Sequence, residues 1–270
     1  MKCNIPNSKN SKKNFDTDEA KASASLAWNS HAELVLDLSI KEQTKRIGLD
    51  DTFAYGCVNC EECCCDQKIS LTPRDAYTLA KGLNMTYDDF LAKICIPQFS
   101  PPYGVPMLYL KTVGNHKTCV LRNSNAGCIV ENFKPTICAL HPLGRYIPNT
   151  KCTPDNIRYF LTPCPYSALS KTTSTVREWL EKNNVQIKDQ FFCDWVTAVH
   201  NISDTLEILH KTLNEECFSK VHISLLGFLY FEYDLSAEFE PQFSEKIEKI
   251  HAYLEWNLNG RKAEDDEAIY

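Results

Sequence analysis

Glycine is scarce in this chain: nine in 270 residues, no two of them closer than eight positions apart. A dinucleotide-binding turn needs G-x-G-x-x-G and a P-loop needs a similar cluster, because only residues without Cβ let a backbone close on a phosphate. Both motifs are excluded. A nucleotide-dependent oxidoreductase, a kinase and a conventional Rossmann-fold methyltransferase are disfavoured with them. Long apolar runs are missing too. The longest, Leu225-Leu226-Gly227-Phe228-Leu229-Tyr230-Phe231, stops at Glu232, far short of the roughly 20 residues that span a bilayer. The N-terminus, Met1 to Lys9, leads into a Lys/Asn/Ser/Asp stretch with no apolar segment, so no secretory leader is expected. Nor is there a basic excess: the net charge is −6 and the pI about 5.7. No footprint for nucleic acid or anionic lipid follows from that balance. The short basic run Lys9 to Lys13 falls in a tail expected to be disordered.

Cysteine, by contrast, is abundant, with fourteen in the chain. An even number would suit a secreted disulfide scaffold, but the expected absence of a leader and a length sufficient to bury a core argue for a reduced, cytoplasmic protein. The sequons at Asn84 and Asn201 are then chance matches. Five of the cysteines fall in nine residues, Cys57-Val-Asn-Cys60-Glu-Glu-Cys63-Cys64-Cys65. Thiolates at i, i+3 and i+6 can turn inward around one soft centre, and zinc and iron–sulfur clusters are the usual occupants of all-thiolate sites. Core packing does not require such a concentration.

Downstream, Lys68 to Leu71 alternates like a strand, and Thr72-Pro73-Arg74-Asp75 announces a helix: Thr at the N-cap, Pro at N1 and a carboxylate at N3. Ala76, Leu79 and Ala80 continue it, with Gly82 expected as the C′ stop. A second helix starts at Thr86, with Phe90, Leu91 and Ile94 on its apolar face and Cys95 extending that face into the core. Pro97 to Pro106 reads as a surface loop. Leu108 to Lys111 and His116 to Leu121 read as a hairpin about Gly114-Asn115. A polar turn from Arg122 to Gly127 delivers Cys128-Ile129-Val130, Pro135-Thr136-Ile137-Cys138 follows, and strand-like Ile157 to Leu161 runs into Thr162-Pro163-Cys164-Pro165.

Taken in order, these segments resemble the CxxCxxCC, or YkgJ-like, cysteine-cluster proteins, described as zinc- or iron-chelating. The resemblance runs from Phe53 to Pro165. It rests on Cys57-x2-Cys60-x2-Cys63-Cys64, Leu71-Thr72-Pro73-Arg74-Asp75, Cys119-Val120-Leu121, Gly127-Cys128-Ile129-Val130, Pro135-x2-Cys138 and Cys164-Pro165. It implies eight metal-binding cysteines: Cys57, Cys60, Cys63, Cys64, Cys119, Cys128, Cys138 and Cys164. Glu61 and Glu62 replace the family's usual Gly and small or basic residue, Lys134 replaces an arginine, His141 replaces an aromatic, and Cys65 is extra.

Side chains of adjacent Cys63 and Cys64 diverge, which leaves two arrangements: eight thiolates serving two centres, or one four-thiolate centre with structural cysteines around it. A Cys-x2-Cys-x2-Cys triplet completed by a remote Cys-Pro is the ligand grammar of bacterial ferredoxins; Cys57, Cys60, Cys63 and Cys164 fit it. An iron–sulfur cluster (4Fe-4S) is therefore favoured, with zinc as the alternative. Cys3, Cys152, Cys193 and Cys217 are expected to be non-ligands, and His116 and His141 to be solvated or hydrogen-bonded.

From Thr173 the helical period takes over: Val176, Trp179 and Leu180; Phe191, Phe192, Trp195, Val196 and Val199; Leu206, Leu209 and Leu213; Phe243, Ile247, Ile250 and Leu254. Leu34 to Ile40 alternates like a strand but also suits a helix. The expected fold is α+β, a cysteine-rich metal-binding core of short strands and loops under a mainly helical C-terminal layer. Its divisions are a disordered tail at 1–24, the cysteine-cluster region at 25–170, helices packed on it at 171–260 and a charged tail at 261–270. The function expected is cytoplasmic metal binding, structural or redox-active, with a protein partner left open and with neither nucleic acid nor membrane involved. Two alternatives stand beside it. One is a protein-modifying enzyme resembling flagellin lysine N-methylases, which carry a related cysteine-cluster region; the other is a metal-delivery or chaperone protein.

Overall fold

The computed structural model describes residues 45–55, 64–99, 104–123, 127–148, 152–162 and 172–259. Both tails, the Leu34–Ile40 stretch, Cys57, Cys60, Cys63 and Cys164 lie outside the described residues. The fold is α+β: every described strand pairing is antiparallel, in small sheets of two or three strands, and the helices gather towards the C-terminus. Among the described residues no helix is long and apolar enough to cross a membrane.

The first sheet has the order β3-β5-β4, with β3 at Ser70–Leu71, β4 at Cys95–Gln98 and β5 at Met107–Leu110. Pro97 lies in β4, which sits at the sheet edge, where a missing N–H disrupts no ladder; the predicted Pro-rich loop therefore begins as strand. Helix α1 (Pro73–Gly82) starts at the expected Thr72 cap, and the carboxylate expected at N3 closes a capping box with it, Asp75 N donating to Thr72 Oγ1 at 3.1 Å and Thr72 N to Asp75 Oδ2 at 3.0 Å. Helix α2 (Tyr87–Ile94) is capped by Thr86. Cys95 does not prolong it. The backbone turns extended there, so Cys95 opens β4 while still burying itself in the core.

Gly82 has a role different from the expected C′ stop. It is the last helical residue of α1, and the left-handed position falls on Asn84, φ 53°. What requires glycine at 82 is the ring of Phe133, which lies where a Cβ would go. Replacing a helical glycine with alanine ordinarily gains about 1 kcal/mol, whereas forcing a methyl into packed atoms costs about 1–3 kcal/mol. The Gly82→Ala variant is therefore expected to melt at a lower temperature than the wild type. A higher melting temperature would show that Phe133 moves aside freely.

The hairpins β6–β7 (Thr112–Val113, Thr118–Cys119) and β8–β9 (Arg122–Asn123, Gly127–Cys128) follow. Gly127 takes φ 76°, the left-handed region that glycine tolerates best. A five-residue helix, α3 (Thr136–Leu140), leads into β10 (Leu143–Tyr146). In its sheet, β11 (Arg158–Leu161) is central between β10 and β1 (Lys45–Ile47). Strand β2 (Thr52–Ala54) pairs with β12 (Thr173–Thr175), which feeds α4 (Val176–Lys182).

The second and third apolar stripes belong to one continuous helix, α5 (Gln190–Thr212), with Leu213 as its C-cap. Helices α6 (Glu215–Tyr230) and α7 (Phe239–Leu258) complete the layer. Two hydrophobic clusters result. One joins α1, α2, β4 and β5 to the apolar faces of α5, α6 and α7, and there the buried Tyr230 hydroxyl donates to Leu71 O at 2.7 Å. The other gathers Ile47, Phe53, Leu140, Leu143, Tyr159, Leu180 and the first turn of α5. An ion-pair network links them: Arg74 donates to both carboxylate oxygens of Asp189 at 3.1 and 2.6 Å, and buried Arg145 donates to Oδ2 at 2.9 Å. Asp189 also caps α5.

Candidate metal centre

Four of the eight expected ligands are described, and the fold brings them into one neighbourhood from four separate places in the chain. The first step is an antiparallel bridge between Cys65 and Thr118. In such a bridge the residue before one partner adjoins the residue after the other, so Cys64 comes alongside Cys119 on β7. Asp66 N donates to Lys117 O at 3.2 Å, which extends the pairing on the other side. Cys65 and Thr118 place sulfur and hydroxyl 3.7 Å apart.

The β8–β9 hairpin then returns Cys128, and α3 supplies Cys138. Burial raises the Cys138 thiol well above its ordinary pKa, and the neighbouring thiols of Cys119, Cys128 and Cys64 raise it further, as does the Asp75 carboxylate. Cys119 is likewise raised, first by burial and then by Cys64, Cys128 and Cys65. Cys128 is raised by burial, with Glu131 and Cys64 adding to it and Lys134 opposing. Cys64 thus acts on each of the other three, and Cys119 and Cys128 both act on Cys138. None is in a disulfide.

Two of the sulfurs have a feature that favours the thiolate. The Leu121 N–H is directed at the Cys119 sulfur and the Val130 N–H at the Cys128 sulfur, each lowering the thiol pKa against burial. The local chemistry is the same twice over: a cysteine, one residue, and a backbone N–H two positions on. Cys119-Val120-Leu121 and Cys128-Ile129-Val130 are thus two copies of one device, in which a hydrogen bond to the charged form stabilises that form. As the side chains stand, no group of three or more His, Cys, Asp or Glu among the described residues is disposed to hold a metal ion. The thiols are neighbours without a closed ligand shell. Four sulfurs from four segments are nevertheless a soft donor set of the kind that zinc and iron take.

The segment carrying Cys138 is fixed on both sides. Pro135 stands at the N-cap of α3 and makes no side-chain cap. Asp75 supplies that function from α1, its Oδ1 accepting from Thr136 N and from Thr136 Oγ1, each at 2.8 Å. At the other end of α3, Trp179 Nε1 donates to Leu140 O at 3.1 Å. Sequence reasoning assigned Asp75 to its own helix alone; its second role joins residues 61 positions apart, and no local pattern signals it.

The remaining described cysteines sit elsewhere. Cys95 is buried in the first cluster, its thiol pushed up to about 12 by burial. Cys193 is buried at the start of α5, its thiol raised to about 11, chiefly by burial and then by Cys152 nearby. Cys217 is disulfide-bonded. His141 packs edge-on to Tyr55, with ring centroids 5.8 Å apart, and burial followed by the Lys134 charge lowers its pKa.

Comparison with protein-family models, with curated proteins and with solved structures returned no match.

Proposed function

We propose that this chain is a metal-binding protein in which Cys64, Cys119, Cys128 and Cys138 form one all-thiolate site. Its support is the convergence of these four cysteines from separate segments, two of them with backbone N–H groups aimed at sulfur. The resemblance to the CxxCxxCC proteins rests on the motif series itself and points the same way. Cys57, Cys60, Cys63 and Cys164 are the complementary set, and their ferredoxin-like spacing makes an iron–sulfur cluster the favoured occupant of the protein, with zinc the alternative. A bound centre would cross-link segments far apart in sequence and, if it contains iron, could exchange an electron. Side chains must rearrange to close the ligand shell, so metal binding and local folding are coupled.

The test is to purify the full chain anaerobically, assay iron, zinc and acid-labile sulfide, and record the absorption spectrum. Brown protein with iron and sulfide in comparable amounts is the expected result. Colourless protein with stoichiometric zinc would keep the thiolate site and remove the redox role. Protein free of both metals, and unable to take up either on reconstitution, would overturn the reading.

A further inference from the structure

We propose that Asp75 is the positioning residue of the cysteine site, holding the first turn of α3 so that Cys138 faces Cys64, Cys119 and Cys128. The inference rests on the metal-binding reading above and adds to it a residue that touches no metal. Asp75 is buried, 7% exposed, and its carboxylate is divided between two tasks. Oδ2 accepts from Thr72 N at 3.0 Å and from Thr72 Oγ1 at 2.8 Å, which locks the carboxylate onto α1. Oδ1 accepts from the backbone and hydroxyl of Thr136, which locks the start of α3 onto that carboxylate.

The arrangement answers a deficiency in α3. Its N-cap is a proline, which offers no side-chain acceptor for the orphan N–H groups of the first turn. A five-residue helix is too short to persist without tertiary support. Asp75 satisfies the Thr136 N–H from outside, and Cys138 follows two residues later, within the same helical turn. Phe133, packed on Gly82, attaches the preceding residues to the same helix α1. Cys138 is thus placed by α1 rather than by its own segment. The carboxylate is near enough to Cys138 for its charge to be felt by the thiol. Groups that orient a ligand without touching the metal ordinarily contribute a factor of about 10–100 in affinity.

Cobalt(II) and zinc(II) titrations of the full chain test this, because the thiolate-to-cobalt charge-transfer band reports how many sulfurs are bound. Asp75→Asn keeps the side-chain shape but turns one acceptor into a donor. It should weaken Co(II) binding by about tenfold or more and reduce the band at saturation. Thr136→Val removes one of the two hydrogen bonds to Oδ1 and should weaken binding by a smaller factor, while Thr136→Ser restores wild-type binding. A purely structural role would lower the melting temperature of the metal-free protein and leave affinity and band intensity at their wild-type values, which would overturn the proposal. Should Asp75→Asn fail to fold, wild-type affinity in Thr136→Val overturns it equally. If the wild type itself takes up neither cobalt nor zinc and holds no iron, the metal-binding reading fails and this inference with it; wild-type binding in the variants sinks only the role of Asp75.

Discussion

Cys138→Ser is expected to lose one metal centre and to melt at a markedly lower temperature. A serine oxygen is a harder, poorer match for zinc or cluster iron than a thiolate. Loss of a mere outer hydrogen bond at a metal site weakens affinity by about 10–100-fold, and loss of a direct ligand should exceed that. In the proposed site the ligand shell would close only as the segments come together, so the metal's binding free energy would also hold the fold and the variant would lose both. Cys65→Ser is the control. Its sulfur is paired with the Thr118 hydroxyl, and its replacement should leave metal content unchanged. Elemental analysis of the purified variants decides the matter. Full metal content in Cys138→Ser would remove this cysteine from the ligand set.

Asp189→Asn should be the most damaging substitution away from the cysteines. Arg145 has a side chain only 4% exposed and is paired with an Asp189 side chain 1% exposed, while Arg74 is 22% exposed. The Arg145 guanidinium also stacks over Phe192, 3.9 Å from the ring centroid. Removing the carboxylate leaves a buried cation uncompensated, a loss of about 3–5 kcal/mol, or on the order of 10 °C in melting temperature. Asparagine remains a good N-cap, so the variant isolates the charge. Adding Arg145→Met should recover part of the loss, since no fully buried charge then lacks a partner. A melting temperature within 2 °C of wild type for Asp189→Asn alone would refute the account (roughly 1 kcal/mol or less).

The same pair sets a pH dependence. Burial pushes the Asp189 carboxyl up, but the charges and hydrogen bonds of Arg145 and Arg74 outweigh it and hold the group below the ordinary carboxylate value. A group with a depressed folded pKa stabilises the fold above its unfolded pKa and loses that contribution as pH falls through the folded value. The gap between wild type and Asp189→Asn should therefore be full above about pH 5 and shrink as pH drops below about 3.9.

What could be read from sequence was local. Thr72-Pro73-Arg74-Asp75 specified the start of α1 because cap, ring and carboxylate lie within four residues. Thr86 likewise marked the N-cap of α2. The aromatic and leucine stripes marked the C-terminal helices, although two of them fused into α5 because no breaker separates Val199 from Leu206. Gly82 misled because glycine after an apolar stripe signals a helix stop, whereas here it accommodates the ring of Phe133. The ion pairs of Asp189 were missed altogether: its partners lie 115 and 44 residues away. Its place before Phe191 and Phe192 could have marked it as a cap, but nothing local marks two arginines converging on it. For the site, the repeated cysteine-apolar-apolar triplets at Cys119 and Cys128 were visible, but their N–H groups acquire meaning only when the hairpins fold.

Helix α3 is held at its start by the first hydrophobic cluster, through Asp75, and at its end by the second, through Trp179. Cutting one anchor leaves it tethered by the other, so local fraying, the usual fate of so short a helix, is suppressed. The amides of Ala139 and Leu140 should exchange with solvent only when both clusters loosen together. Release of whatever Cys138 holds would then be timed by breathing of the whole molecule rather than by the motion of one loop.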